Sequence, residues 1–544
     1  MKHILLVIGL VWGLGIGARG QAGRADMVLL NGKIFTSDAA RPSAEALAIR
    51  GERIIAVGTV AEINKLAGPN TRRIDLQGRV VTPGFNDAHN HFDPMPAGFR
   101  LAFTSMEPSW EETSQAIKAA AQQVPAGTWI FGTVGSKVVL DPLVTRAALD
   151  ALAPNHPVLL GAFYGHGKIA NTKALPLLQL DIEQPDPLGG KYERITGSRE
   201  LNGRMHEYAE WRANFVLAAQ VPDTAVIRAL RAMAAEAAGY GITTMQLFTI
   251  LPTDRFVRLL TQANLPVRVH ARPFPLTTPQ GRETTELRKL LTPPMPKLGP
   301  RVQVSGIKWV LDGTPYERGA ALRTAYRDQP NWKGELNFKE DEVGKMVQEG
   351  LDWKQPLLFH CAGDRASEVV FNALEANETN VNWPARRVRI EHGDGVVGDL
   401  IPRAKRLGVV VVQNPTHFTE PALFGQRWGN KMQPLRSLLA AGIPVALGSD
   451  GPMNPFLNIM LAGINPANPA EAITGQQAVQ AYTAGSAYAE FAEKDKGTLA
   501  VGKLADLAVL SQDIFSVPPP ELPKTTSVLT IVGGKVVHDA KVLK

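Results

Sequence analysis

Short apolar runs alternate with longer helical stretches through the middle of the chain. The helical stretches include Asp223–Ala238 and Lys339–Gly350, and the apolar runs between them are rich in β-branched residues. The clearest predicted strands are Trp129–Val134, Val267–Ala271, Val302–Leu311, Pro356–Phe359, Val388–Ile390, Val409–Val412 and Pro444–Leu447. Strands that alternate with helices are typical of parallel βα units. About eight such units over roughly 400 residues predict an α/β fold, a (β/α)₈ TIM barrel with insertions.

A doubly wound open sheet is the alternative to a barrel. The sequence contains neither the glycine-rich dinucleotide turn nor the Walker phosphate loop. The usual reasons to prefer an open sheet are therefore missing.

Both ends of the chain show short strands joined by tight turns. Ala25–Phe35 has two apolar runs around an Asn-Gly turn, a hairpin signal, and Val528–Val537 repeats the pattern around Gly533-Gly534. Neither end alone has enough strands for a stable sheet, so we predict one small β-sandwich domain built from both. The predicted organisation is a signal peptide at 1–20, sandwich segments at 21–80 and 491–544, and the barrel at 81–490.

Residues 1–20 have the layout of a secretory signal peptide. A short basic head precedes an uncharged apolar run over 4–17, and Ala18-Arg19-Gly20 supplies small residues at positions −3 and −1 of a cleavage site. A permanent spanning helix needs about 20 apolar residues, so the alternatives are a retained anchor or a buried helix. The only cysteine, Cys361, excludes an intramolecular disulfide. An exported protein without disulfides suits a bacterial periplasm.

Composition adds few restrictions. The 544 residues are 44% hydrophobic and 20% charged, which is ordinary for a globular protein. The net charge of +7 is scattered, and a basic stripe with interleaved aromatics is missing, so nucleic acid is not expected as a partner. Outside the signal segment no membrane-spanning run occurs. We expect a small-molecule substrate; a homo-oligomer is compatible with the sequence but not specified by it.

His89-Asn90-His91 ends one predicted strand. Side chains two residues apart on a strand point the same way, and the active site of a TIM barrel lies at the carboxyl ends of its strands. His89 and His91 can therefore bind one metal ion, although a His-x-His sequence also occurs by chance and in surface patches.

Four further residues follow separate apolar runs: Lys308, His360, His392 and Asp450. Four of the 11 histidines of the chain thus fall at predicted strand ends. A single such histidine would more often be a hydrogen-bonded core residue, but several converging in one barrel predict a metal site.

This mixture of residues suits hydrolysis. Imidazole nitrogens suit zinc and similar metals, and a bound metal lowers the pKa of water from 15.7 to about 7. Asp450 can hold the resulting hydroxide, take its proton and pass a proton to a departing amine. Lys308 makes sense beside a metal if CO₂ carboxylates it, because a carbamate can bridge two ions; a salt bridge to Asp312 is the alternative. We expect one or two divalent ions per chain, with zinc the first choice.

Several motifs together resemble the amidohydrolase superfamily, and within it the YtcJ-like branch (the amidohydrolase 3 group). They are Thr82–His91, Gly306–Thr314, His360–Ala366, Ile390–His392, Gly448–Asp450 and Lys496–Leu507, and the resemblance runs from about residue 25 to 540. It implies a barrel with a sandwich. It also implies that His89 and His91 bind the first metal, and that a carboxylated Lys308 bridges to a second held by His360 and His392. Asp450 would be a ligand and the proton shuttle.

Two other histidines fit this resemblance less specifically. Tyr164–Lys168 resembles the substrate-side loop of the branch, and Leu201–Glu207 resembles the segment that closes over the site. His166 is therefore a candidate for polarising the scissile carbonyl, with a packed loop histidine as the alternative. His417 has two similar interpretations, a residue that contacts the substrate or a structural histidine. Cys361 follows a proposed ligand on a strand, so we interpret it as a buried apolar residue.

The sequence therefore predicts an enzyme, a metal-dependent hydrolase that cuts a non-peptide carbon–nitrogen bond in a small molecule. Two alternatives stay open. The same site could act on a lactone, an ester or an organophosphate, or the barrel could be a non-catalytic binding protein with a vestigial site.

Overall fold

The computed structural model describes residues 24–292, 298–429 and 431–543. The predicted signal peptide at 1–20 lies outside these residues. Within the described ranges no helix is both long enough and apolar enough to cross a bilayer.

Both chain ends build the sandwich, as predicted. One sheet has the strand order Arg53–Gly58, Ala46–Arg50, Ala25–Leu30, Ala67–Asp75, and the other has the order Lys535–Asp539, Ser527–Val532, Leu507–Leu510, Val80–Pro83, Lys33–Phe35, Ser43–Ala44. Val81 pairs with Val509, which joins the two ends in one ladder. Leu29, Leu47 and Ile531 pack between the sheets. The prediction of a shared sandwich is confirmed.

The middle of the chain forms the (β/α)₈ barrel. Barrel strands 1 to 8 are Phe85–His91, Ile242–Thr249, Arg268–Pro273, Val302–Val304 continued by Ile307–Val310, Leu357–Cys361, Arg389–His392, Val410–Gln413 and Val445–Leu447. All neighbouring pairs that are hydrogen-bonded as strands are parallel. Strand 4 is interrupted at Gly306, whose φ of +84° is a left-handed conformation that suits glycine. Its first half pairs with strand 3 and its second half with strand 5.

Helices connect and cover these strands. The α-helices are Val60–Asn64, Trp110–Gln123, Ser136–Val139, Arg146–Leu152, Ala174–Leu177, Tyr208–Gln220, Asp223–Gly239, Thr253–Ala263, Thr285–Leu291, Glu340–Asp352, Asp364–Glu375, Trp383–Arg386, Leu400–Leu407, Pro421–Arg427, Leu435–Ala440, Pro455–Ile464, Gly475–Gln480 and Ser486–Ala489. Pro415–Thr419, Pro469–Glu471 and Pro519–Lys524 are 3₁₀ turns, and Ala481–Gly485 is a π turn. Thr277–Thr278 and Gly281–Arg282 form a small hairpin.

An inserted sheet between barrel strands 1 and 2 corrects one prediction. Its strand order is Gly190–Arg194, Leu201–Glu207, Lys168–Ala170, Val158–Ala162, Ile130–Val134, Phe99–Arg100. The predicted barrel strand Trp129–Val134 therefore belongs to the insertion. The prediction was wrong because a buried parallel strand followed by a helix has the same pattern wherever it lies. The insertion brings His166 and Glu207 to the mouth of the barrel.

The segment after strand 8 lies directly against strand 1. The Asp450 amide donates to the His89 carbonyl at 2.9 Å, and the Ser449 amide donates to the Asp87 carboxylate at 2.8 Å. Gly448 makes this approach possible, because a Cβ there would lie 2.4 Å from the His89 amide nitrogen. Proposed metal ligands on the first and last strands are thus fixed together through the backbone.

We expect Gly448→Ala to lower the free energy of unfolding by about 1–3 kcal/mol, since the extra methyl group overpacks the backbone of His89. Urea unfolding followed by circular dichroism measures this. The control is Gly344→Ala in the helix Glu340–Asp352, where an added Cβ meets nothing within 4 Å. That variant should gain about 0.5–1 kcal/mol. If Gly448→Ala were as stable as the wild type, the close approach of Gly448 to the His89 backbone would not contribute to the stability of the fold.

Candidate active site

The barrel brings the whole predicted ligand set together. These residues all lie near the carboxyl ends of strands 1, 4, 5, 6 and 8: His89, His91, Lys308, His360, His392 and Asp450. The Asp450 carboxylate lies 3.7 Å from His89 Nε2, 3.6 Å from His91 Nε2 and 3.9 Å from His392 Nδ1. Lys308 Nζ lies 3.4 Å from His89 Nε2, and the rings of His360 and His392 are 4.3 Å apart.

These separations fit ligands arranged around a cation. In a tetrahedral site with bonds of 2.0–2.2 Å, neighbouring ligand atoms are roughly 3.3–3.6 Å apart. His360 Nε2 and His392 Nδ1 are buried without a hydrogen-bond partner among the described residues, and a buried polar atom left unpaired costs free energy. A divalent metal would satisfy both nitrogens. The residues present therefore fit the metal that the sequence predicts.

Glu391 orients the first of these histidines. His89 Nδ1 lies 2.7 Å from Glu391 Oε2, and both side chains are fully buried. Arg389 holds Glu391 with Nε–Oε1 and Nη2–Oε2 distances of 2.7 and 3.0 Å. Burial, reinforced by Lys308, keeps the pKa of His89 well below its usual value, so the ring is neutral. Because Nδ1–H donates to Glu391, the lone pair of His89 Nε2 is free for a metal.

We expect Glu391→Gln to weaken metal affinity about 10–100-fold, because the amide no longer holds the His89 tautomer through a charged acceptor. Titration of metal into chelator-treated protein measures this. Glu490→Gln is the matched control, since buried Glu490 accepts from His270 Nδ1 at 2.9 Å but does not line the cavity. Equal losses of metal affinity in both variants would show that the effect is general destabilisation.

The backbone turns two of the ligands toward the site. His392 has a φ of +68° and Asp450 a φ of +36°, both unusual for residues with a side chain. In a regular strand His392 would face away from its neighbour Glu391; the left-handed conformation directs both side chains inward. Such strain persists only where the surroundings enforce it and is common at functional sites.

Lys308 is not paired with Asp312. The Asp312 carboxylate accepts backbone N–H groups from Ala321, Ala362 and Gly363 at 2.8–3.0 Å. Lys308 Nζ instead lies 4.3 Å from the centre of the Phe248 ring. Burial lowers the pKa of Lys308 to about 8, even though neighbouring carboxylates oppose the shift. The lysine therefore has a substantial neutral fraction near neutral pH, which is the form that reacts with CO₂.

His166 lies beside the proposed metal ligands and forms a dyad with Glu207. His166 Nδ1 lies 2.9 Å from Glu207 Oε1, and its ring is 5.0 Å from that of His360. Burial alone would lower the pKa of His166, but the Glu207 carboxylate raises it to about 9. With Nδ1 bonded to Glu207, Nε2 remains as a donor for a ligand in the cavity. Glu207 has a φ of +55°, and Glu317 completes a compact group with this dyad.

A cavity of about 650 Å³ opens above the ligand set. His417 lines it, with Nε2 3.5 Å from the Asp450 carboxylate, so this histidine belongs to the site. Cys361 is buried in the core and does not line the cavity, as expected. Asp394 does line it, and burial raises the pKa of Asp394 to about 6, so the group is ionised at neutral pH.

Sequence reasoning missed the residues that position the ligands. Glu391 and Glu207 lie inside motifs that the sequence singled out, but neither was given a role. A two-residue period on strand 6 places Arg389 and Glu391 on one face, which was an available signal. The contacts of Glu207 and Glu317 with His166 span 41 and 151 positions of the chain, and no local pattern marks them.

A barrel with this set of strand-end residues defines a metal-dependent hydrolase. Residues 72–538 match the model of the amidohydrolase family, so the chain belongs to that family. It is 26% identical to YtcJ of Bacillus subtilis over 87% of this chain and 92% of that protein. It is also 26% identical to N-substituted formamide deformylase of Arthrobacter pascens, over 94% and 97%.

A solved structure shares the fold. An uncharacterized metal-dependent hydrolase from Pyrococcus furiosus has a TM-score of 0.69 at 23% identity, over 90% of this chain and all of that one. The predictions of a TIM barrel and of an amidohydrolase, an enzyme that hydrolyses carbon–nitrogen bonds, are confirmed at the level of the family.

Proposed function

We propose that the protein hydrolyses a small acyclic or cyclic amide, a formamide or a carbamate, using one or two zinc-like ions. His89, His91 and Asp450 would hold one ion, and His360 with His392 the other, with carboxylated Lys308 between them. The observation that carries the proposal is the convergence of these side chains, with two buried nitrogens unpaired, at the floor of the cavity. The 26% identity of this chain to N-substituted formamide deformylase favours a substrate with an N-acyl bond.

A bound metal would supply Lewis-acid activation of the attacking water and of the scissile carbonyl. The chain's own residues would handle the protons. Asp450 would accept a proton from the water while the water oxygen bonds to the carbonyl carbon. It would then deliver that proton to the nitrogen as the C–N bond breaks. His166 Nε2–H would donate to the carbonyl oxygen, with Glu207 keeping the imidazole charged. An acyclic amide or formamide gives a carboxylic acid and an amine, a cyclic amide opens to one molecule that carries both groups, and a carbamate gives an amine with a carbonic acid monoester.

The place of action is also a proposal. The basic head, apolar run and small residues of 1–20 support export and cleavage near residue 20. Given export, a single cysteine without a disulfide partner favours a bacterial periplasm over a eukaryotic secretory route. Cell fractionation with N-terminal sequencing of the mature protein would test both parts.

The experiment is to produce residues 21–544, purify without chelators, count metal per chain and assay matched amides, formamides, esters and lactones. We expect about two ions per chain, as in two-metal hydrolases, with amide turnover that chelation abolishes and zinc restores. Turnover of esters or lactones alone would replace the proposal with an esterase or lactonase. No metal after incubation with zinc and bicarbonate, together with no turnover, would favour a binding protein.

A further inference from the structure

One part of the cavity is lined by aromatic side chains that have no role in the proposed hydrolysis. The rings of Phe163, Tyr164 and Phe424 each lie beside that of Tyr316, with centroids 5.0, 5.3 and 5.7 Å from it. We call these four side chains the aromatic end of the cavity. All four line the cavity. Aromatic faces of this kind attract cations as well as apolar groups.

Asp394 is the polar group that stands out in the same cavity. It is 4% exposed and its oxygens face the cavity, and among the described residues its carboxylate accepts no hydrogen bond and has no ion-pair partner within 4 Å. Its backbone is fixed, because the Gln433 amide donates to the Asp394 carbonyl at 2.8 Å. A buried carboxylate without a partner is costly. A ligand that brings a positive charge would satisfy it.

Positive side chains that could serve instead are occupied elsewhere. Lys308 is the single lysine or arginine among the described residues that line the cavity, and it belongs to the proposed metal site. Arg427 donates to the carbonyls of Pro315 and Tyr316 and does not line the cavity. Glu420 and Asp93 add further carboxylates to the lining. Outside the proposed metal ligands, the described lining therefore offers carboxylates and aromatic faces, and its cationic group is His166, which the proposed function assigns to the scissile carbonyl.

We propose that Asp394 and the aromatic end bind a protonated amino group carried by the substrate. This rests on the proposed function in placing the amide at the metal end. The substrate class is then an amide with an apolar or aryl body and a cationic amine. Asp394 would be a specificity-determining residue, because it selects by charge without acting on the reacting atoms.

The test is binding of three small probes of similar size to the metal-loaded protein at pH 7.5 by calorimetry: benzylammonium, benzyl alcohol and benzoate. We expect benzylammonium to bind at least about tenfold more tightly than the other two, since charge-assisted hydrogen bonds and cation–π contacts both favour it. Asp394→Asn should remove that preference and leave benzyl alcohol binding unchanged. Asp341→Asn, which removes an exposed carboxylate, is the control with the same change in net charge.

Equal binding of the three probes would overturn the proposal. So would a benzylammonium preference that survives Asp394→Asn, because the amine would then sit on the metal or elsewhere. Thermal melting of each variant shows whether it is folded. Amides with a terminal ammonium or hydroxyl group extend the test from binding to turnover. If binding shows an Asp394-dependent preference but no amide is hydrolysed, the proposed function is refuted and the ammonium-binding inference is retained.

Discussion

Asp450→Asn is expected to retain its metal and to lose about 10²–10⁴-fold in kcat, the usual contribution of a positioned general acid–base group. The carboxylate lies within 3.9 Å of ring nitrogens from His89, His91, His392 and His417. Among the described carboxylates that line the cavity, Asp450 is the one surrounded by the proposed metal ligands, and this places it to move a proton between the attacking water and the leaving nitrogen. The amide of asparagine keeps the shape and a ligating oxygen but cannot accept that proton. Steady-state turnover together with elemental analysis measures both effects.

Asp93→Asn is the matched control for that variant. Asp93 also lines the cavity, with its carboxylate 3.8 Å from His91 Nδ1, which is beyond hydrogen-bond distance, and within the described residues it forms no ion pair with another predicted ligand. We expect the Asp93→Asn variant to reduce kcat less than tenfold, because a charge at the edge of the site contributes little. Full activity of Asp450→Asn would overturn the proton-shuttle assignment. Loss of metal together with activity would show that Asp450 acts first as a ligand.

The convergence of the proposed metal ligands could be predicted because each of them depends on local sequence. His89, Lys308 and His360 lie within three residues of the carboxyl ends of apolar strands, and parallel strands of a barrel present those ends on one face. Once the alternation of strands and helices predicts a barrel, such residues must converge. The sandwich could be predicted for a related reason, since neither chain end could form a sheet alone.

The remaining features depend on contacts between distant parts of the chain. The inserted sheet has strands of the same length and apolar character as the barrel strands, so pattern alone misplaced Trp129–Val134. The inward turn of His392 comes from a left-handed backbone, which alternation cannot predict. The ion pair of Arg389 and Glu391 becomes meaningful only when strand 1 places His89 against it.

The interior of the barrel below the site is also polar, which apolar strand patterns do not suggest. Gln246 accepts from Arg272 at 2.8 Å and from Arg389, and Arg389 donates to the Ala88 carbonyl at 2.8 Å. This network links strands 1, 2, 3 and 6 beneath the metal ligands. Buried hydrogen bonds of this kind constrain the geometry more strictly than apolar packing does, and they hold Arg389, and through it Glu391 and His89, in place beneath the site.

Lys308→Ala should lower the metal content from about two ions per chain to about one, because a bridging carbamate is what lets two cations share a site. Activity should fall with it by about 10²-fold or more, the order of the several kcal/mol that a metal contributes. Carboxylation joins the neutral amine nitrogen to the carbon of CO₂ and releases a proton, and the pKa of about 8 makes that neutral form accessible. Reconstitution of metal-free protein should therefore depend on bicarbonate, and ¹³C-bicarbonate should give a carbamate signal that the variant lacks.

Lys496→Ala separates a lost ligand from a lost buried charge. Lys496 is also buried, with Nζ 2.8 Å from Glu490 and 3.0 Å from Thr244 Oγ1, and it does not line the cavity. Its removal leaves Glu490 without its cation and should cost about 3–5 kcal/mol of stability, yet the metal content of the folded protein should stay at two. If Lys308→Ala also kept two ions, Lys308 would not bridge them. The same conclusion would follow if acetate, added to replace the missing carbamate, changed neither the metal content nor the turnover of the variant. The site would then hold its ions through histidine and Asp450 alone, and the low pKa of Lys308 would serve some other purpose than carboxylation.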